Sequence, residues 1–267
     1  MRQLVRGAED GYRSSLAPGL RSSTDADRLA QELAFAAGRL TRLESDPPGL
    51  YAAVGAGSED IEERTWLAFL IAFLCPVEDE PPFAEIERVR VSWSSGEVPD
   101  LSDVEFGPRG AQDRAAAGRT LQAYRAWAAR AGSQSASFTG ETAWTPERRF
   151  ARTYERLALP GLHRAARFDL LVSLGRLGVF ELRPATLALG GDNDVTLGAK
   201  RVLGIGDPLL LERRATDLAQ ACGLDLEVLD LGLGNWQSGV RRATLGLGPD
   251  AEPAAEALAS ARSGLGL

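Results

Sequence analysis

The chain has 267 residues, 44% of them hydrophobic, and a formal net charge of −7. That length fits one large domain or two small ones with a sizeable core. The longest apolar run, Trp66 to Cys75, is about half a membrane span, so neither a transmembrane helix nor a membrane partner is expected.

Two cysteines, Cys75 and Cys222, make no disulfide framework. With the single histidine, His163, they also exclude the usual zinc sites, so no metal and no cofactor are expected. Residues 1–12 carry charge without an apolar stretch or a small-residue cleavage site. No secretory signal is read there, and the expected compartment is the cytoplasm. The basic residues are 29 arginines and one lysine, Lys200. Such a bias puts Arg wherever charge alone matters, so the count says little about nucleic acid. Distribution says more: residues 1–108 carry −10, residues 109–168 carry +7 and residues 169–267 carry −4. A basic block in an acidic chain is either a local anion-attracting field or a set of helix faces with locally paired arginines.

In chain order, Ser22-Ser23-Thr24-Asp25 opens a helix whose apolar positions run from Leu29 to Leu43, stopped by Asp46-Pro47-Pro48-Gly49. Ser58 or Asp60 can cap the next helix, Ile61 to Leu74. It is apolar almost all round after Arg64, which marks it as the central buried helix. Residues 76–108 are acidic and rich in Pro and Ser, with a short helix near Phe83 to Val89. Val89 to Trp93 has the composition of a short strand without a partner. An Ala-rich helix is predicted over 111–131, a Ser/Gly loop over 132–140, and a helix from Thr145-Pro146-Glu147 to about Leu157.

A tight Pro160-Gly161 turn then leads into an apolar helix ending near Leu177. Residues 187–194 read as a Gly/Asp loop, with Asp194 capping a helix over 195–203. Gly204 to Pro208 is a second tight turn, Asp207 caps a helix over 209–222, and Gly223 stops it. One weak helix falls near 251–261. The expected fold is all-α, built as two helical lobes. The expected division is an N-terminal extension over 1–24, a helical domain over 25–240 and a partly disordered Gly/Ala-rich tail over 241–267.

Three loops carry the candidate chemistry. In the first, Gly161 permits a turn tight enough for the following helix to present its N–H groups to an anion. His163, Arg164 and Arg167 lie beside it. Such a helix–hairpin–helix can grip a phosphate without reading bases; the alternative is an ordinary helix connection. In the second, Gly204 and Gly206 repeat the idea, without the strand and third glycine of a dinucleotide site or the Gly-Lys-Ser/Thr of a P-loop. In the third, Gly190-Gly191-Asp192-Asn193-Asp194 has the opening of a calcium loop but lacks its later glycine and closing Glu. Lys200 is a candidate amine or proton carrier because an arginine cannot serve as either. The candidate carboxylates are Glu181, Asp192 and Asp207; Asp169 also lies near the hairpin.

The helix Trp66 to Leu74, the hairpin at Leu159-Pro160-Gly161 and the run Leu203-Gly204-Ile205-Gly206 together resemble the all-helical DNA glycosylase superfamily of helix–hairpin–helix type. Leu157 to Trp236 is most similar to the branch called alpha-glutamyl/putrescinyl thymine pyrophosphorylase, clade 3. The resemblance spans residues 25–240. It implies an enzyme that acts on DNA and replaces pyrophosphate on a 5-hydroxymethyluracil-type base with an amine, so DNA and an amine or amino-acid co-substrate are the implied partners. Such chemistry needs a site for the leaving anion and a base for the amine. The Arg block and the hairpin are candidates for the first; Asp192, Asp207 and His163 are candidates for the second.

The chain departs from ordinary glycosylases of that group. Downstream of Gly161, where they carry a catalytic Asp, stands Glu181; Arg164 replaces the hairpin lysine of bifunctional members. The alternatives are therefore a non-catalytic helical nucleic-acid-binding module and a glycosylase acting on a damaged base.

Overall fold

The computed structural model describes residues 7–57, 60–77, 81–110, 114–239 and 253–267. Among them are twelve α-helices and no strand. In order these are α1 (Ser23–Ser45), α2 (Leu50–Gly55), α3 (Ile61–Leu74), α4 (Ala84–Val89), α5 (Ala117–Arg130) and α6 (Gln134–Thr139), then α7 (Pro146–Arg156), α8 (Arg164–Arg176), α9 (Asp194–Leu203), α10 (Pro208–Ala221), α11 (Leu226–Ser238) and α12 (Ala255–Leu265). No described helix is long and apolar enough to cross a membrane. The described residues divide into two helical units, one from 7–41, 186–239 and 253–267, the other from 42–57, 60–77, 81–110 and 114–185, called the 42–185 unit below.

The 42–185 unit is built round α3. Its side chains from Thr65 to Leu74 are all buried, as an unbroken apolar run must be, and it packs against α2, α4, α6 and α8. Asp60 caps it by accepting from the Glu62 N–H at 3.1 Å; Ser58 lies outside the described residues. Trp66, Phe69 and Tyr124 stack, with the Phe69 and Tyr124 centroids 3.7 Å apart. Near Cys75, Arg109 and Asp169 form a buried bidentate ion pair, Nε to Oδ2 at 2.7 Å and Nη2 to Oδ1 at 2.6 Å.

Two acids at the start of α3 determine segments far away in sequence. Glu62 accepts from the backbone N–H of Gln134 at 2.9 Å and of Ser135 at 2.8 Å. Ser133 caps the same turn through the Ala136 N–H. A carboxylate and a hydroxyl thus satisfy the N-terminal donors of α6, and residues 134–139 are helix where a loop was expected. Burial pushes the Glu62 carboxyl up, but the bonds from Ser135 and Gln134 outweigh it and leave the group below its ordinary value. Glu63 takes the N–H groups of Trp93 at 2.9 Å and Ser94 at 3.1 Å and also the Ser92 hydroxyl. The Trp66 indole donates to the Val91 carbonyl at 2.9 Å. The Val89–Trp93 segment is therefore a helix end and a tethered loop, not a strand.

The Ala-rich helix starts later than its composition suggests. Arg114–Ala116 is a 3-10 turn leading into α5, and residues 111–113 lie outside the described residues.

In the other unit α9, α10 and α11 pack together. α11 is buried along almost its whole length, and the Trp236 indole donates to the Asp25 carbonyl at 3.1 Å. Residues 7–24, set apart in the sequence as an extension, are built in: Ala17 and Leu20 are buried, and the Gly19 N–H donates to the Val202 carbonyl at 2.9 Å. Of the tail, residues 240–252 lie outside the described residues. Residues beyond them form α12, which buries Ala261 and Leu265. Its Ser260 hydroxyl ties it to the end of α10 by donating to the Cys222 carbonyl at 2.7 Å.

Candidate functional site

The hairpin forms as its residues predict. Leu162 N–H donates to the Leu159 carbonyl at 3.1 Å. With Pro160 at the second position and Gly161 at φ 75° in the third, this is the pattern of a type II turn. The turn is fixed to α5 by Thr120, whose hydroxyl donates to the Pro160 carbonyl at 2.7 Å. A Cβ on Gly161 would sit 2.5 Å from that same hydroxyl oxygen. His163 is exposed, stands at the start of α8 and makes no side-chain cap there.

Of the two hairpin arginines, Arg164 is buried and Arg167 half-buried, and each lies over an aromatic ring. Arg164 is buried, its guanidinium 4.6 Å from the Phe168 ring centroid. Arg167 lies 4.4 Å from the Tyr154 ring centroid and donates to the Tyr154 carbonyl at 3.4 Å. Both cover aromatic faces of their own helix pair, a use for which guanidinium suits better than ammonium.

The second glycine turn also makes a close backbone approach, but to another part of the chain. Gly204 ends α9 in the left-handed conformation, φ 65°. Gly19 packs so tightly there that a Cβ on it would fall on the Arg201 carbonyl oxygen and come within 2.8 Å of the Gly204 nitrogen. Gly206 is exposed with open space around it.

Apart from Arg114, whose side chain lies outside the described residues, the basic block resolves into two groups. Besides Arg109, Arg164 and Arg167, two arginines serve the fold and a third, exposed, is held in a local pair. Arg125 sits 4.2 Å from the Trp93 ring centroid and donates to the Trp93 and Glu97 carbonyls. Arg149 is buried and donates to the carbonyls of Thr139, Trp144 and Glu181. Arg152 pairs with Glu155 at 3.0 Å. In contrast Arg119, Arg130, Arg148 and Arg156 are exposed and meet no carboxylate among the described residues. Arg130, at the end of α5, and Arg156, at the end of α7, line a cleft of about 410 Å³ with Trp127, Ala131 and Ser137. The sequence signal for this pair was the basic block itself. The missing information was the packing that separates the arginines holding the fold from those left on a surface.

The four catalytic candidates are not alike. Glu181, in the 42–185 unit, is exposed, and its carboxylate meets Arg149 Nη1 at 3.1 Å. Asp192, Lys200 and Asp207 belong to the other unit. Asp207 caps α10, accepting from the Leu210 N–H at 2.9 Å. The cap of α9 is Asn193, not Asp194: Asn193 Oδ1 accepts from the Thr196 N–H at 3.0 Å, while Asp194 is the first helical residue. Asp192 is exposed in the preceding loop, and Lys200 is half-buried in the last turn of α9. Asp192 and Asp207 therefore stand at opposite ends of a ten-residue helix, about 15 Å long. No cluster of three or more His, Cys, Asp or Glu able to hold a metal occurs among the described residues.

Fold and hairpin together define a class: an all-α protein with a Pro-Gly hairpin between α7 and α8 and a surplus of arginine around it. The chain belongs to the alpha-glutamyl/putrescinyl thymine pyrophosphorylase clade 3 family, whose model matches residues 107–243. Comparison with curated proteins and with solved structures returns no match. The family implies a thymine-modifying function of pyrophosphorylase type. The matched segment runs from just before α5 to just past α11, and so contains both glycine turns and all the candidate side chains.

Proposed function

We propose that this protein modifies a thymine-derived base in DNA, replacing a pyrophosphate on its 5-methylene carbon with an amine. The observation that carries the reading is the family match across residues 107–243. The uncapped start of α8 supports it, since the positive pole of a helix at a tight glycine turn suits a DNA phosphate. In the step, the amine nitrogen forms a bond to the methylene carbon, the carbon–oxygen bond to pyrophosphate breaks, and pyrophosphate leaves with the electron pair. The amine loses one proton to a base.

Asp192 is the favoured base. Glu181 is engaged by Arg149 and Asp207 by the α10 cap, whereas Asp192 is exposed and makes no hydrogen bond among the described residues. His163, Gly161 and Gly206 remain candidates for contacts to DNA, and Lys200 a candidate catalytic amine or proton carrier. The helix–hairpin–helix glycosylase likeness belongs to this same proposal.

The test is to incubate the protein with duplex DNA carrying pyrophosphorylated 5-hydroxymethyluracil and an amine, digest the DNA, and identify the nucleosides by mass spectrometry. An amine-substituted thymine analogue is expected, and Asp192→Asn should lower its yield without changing the melting temperature. Abasic sites would mean excision instead, and unaltered DNA would remove the reading.

A further inference from the structure

The cleft at the ends of α5 and α7 has no assigned role, and its chemistry is one-sided. Two guanidiniums line it, from Arg130 and Arg156, and among the described residues no carboxylate does. The nearest acid in sequence, Glu155, is held by Arg152 at 3.0 Å. Arg130 and Arg156 meet no carboxylate among the described residues, so they have donors to spare. The Arg156 guanidinium lies 5.3 Å from the Trp144 ring centroid. The cleft wall is firm: Trp127 and Ser137 are buried, and the Ser137 hydroxyl donates to the Ser133 carbonyl at 3.0 Å. That leaves the guanidiniums as the cleft's principal charged donors.

Two planar forks lining one concavity suit an anion with several oxygens better than a single point charge. The volume, about 410 Å³, lies in the range of small-ligand pockets, roughly 300–1,000 Å³. A second reading, that both arginines merely offset the negative ends of their helices, explains their positions in the last turns but not the cleft between them.

The geometry points to a diphosphate-binding site formed by Arg130 and Arg156. It rests on the reading of the preceding section only for which molecule carries the diphosphate. The same oxyanion chemistry could come from the DNA backbone, and the experiment separates the two.

Calorimetric titration compares wild type, the double variant Arg130→Gln/Arg156→Gln, and Arg119→Gln as a control on α5 outside the cleft. The probes are inorganic pyrophosphate and a short DNA duplex without any base diphosphate. Both cleft side chains are exposed, so the variants should fold, and matching thermal melts verify this. The expected result is pyrophosphate binding by wild type and Arg119→Gln, weakened about tenfold or more in the double variant, with affinity for the plain duplex unchanged. Equal pyrophosphate binding by wild type and double variant overturns the inference, as does no binding by wild type. An equal loss of plain-duplex affinity overturns it too, because it would make the cleft a backbone contact. Lost pyrophosphate binding in the double variant beside absent base conversion by wild type keeps this site and removes the functional reading. Conversion with pyrophosphate binding untouched does the reverse.

Discussion

At the scale of single residues, the arginines separate by burial. Arg109 and Asp169 stand sixty positions apart in sequence and meet as a bidentate pair with side-chain exposures of 10% and 8%. Removing one partner strands a buried charge, so Asp169→Ala should cost about 3–5 kcal/mol in urea unfolding. A cost under about 1 kcal/mol would mean the pair is not buried in solution. Gly161 makes a second case. Its φ is 75°, and an added Cβ would lie 2.5 Å from the Thr120 hydroxyl, which leaves no room for alanine. Gly161→Ala should lower stability by at least about 1–2 kcal/mol, read by the same unfolding experiment. The hairpin glycine was legible because Pro-Gly has a local meaning. The Arg109 pairing was not, because nothing near either residue announces its partner.

At the scale of elements, local signals located helices whose ends are locally determined. α3 begins at the Asp60 cap and stops before Pro76; α7 begins at Thr145-Pro146; α10 begins at Asp207-Pro208 and ends at Gly223. α6 escaped because its N-terminus is completed by Glu62, from a different helix. This gives a prediction with a definite sign. The folded-state pKa of Glu62 lies below its ordinary value of 4.5. Between the two values the unfolded chain binds more protons than the folded one. The contribution of Glu62 is complete above the ordinary carboxyl range and is lost as pH falls through the folded value. Glu62→Gln should therefore be less stable than wild type at neutral pH, and the gap should close in acid. A gap independent of pH would show that the carboxylate charge does not hold α6.

At the scale of the whole molecule, the two thiols are spectators that report on burial. Burial pushes Cys75 up to about 12 and Cys222 up to about 11, from an ordinary 9. Above pH 9 the unfolded chain releases thiol protons that the folded chain keeps, so stability should fall with rising pH, by up to about 1.4 kcal/mol per unit per thiol. Unfolding between pH 9 and 10 should show a shallower slope in Cys75→Ala/Cys222→Ala; an identical slope would mean the thiols are accessible.

The all-α class was legible from periodicity and from the shortage of pairing strands. The composition of the units was less so. Residues 7–24 and α12 contribute to the same unit as α9–α11 through contacts such as Gly19 with Val202, which no local pattern encodes. The arginine cleft was half legible: the basic block was visible, but which of its members stay exposed depends on the packing of α5 and α7.

The most direct test of the functional account is a molar balance. Pyrophosphate released from DNA bearing pyrophosphorylated 5-hydroxymethyluracil is measured against amine-substituted base formed on the same DNA. The account predicts equal amounts of both, rising together with time. Loss of the base as a free product, or modified base without pyrophosphate, would contradict it.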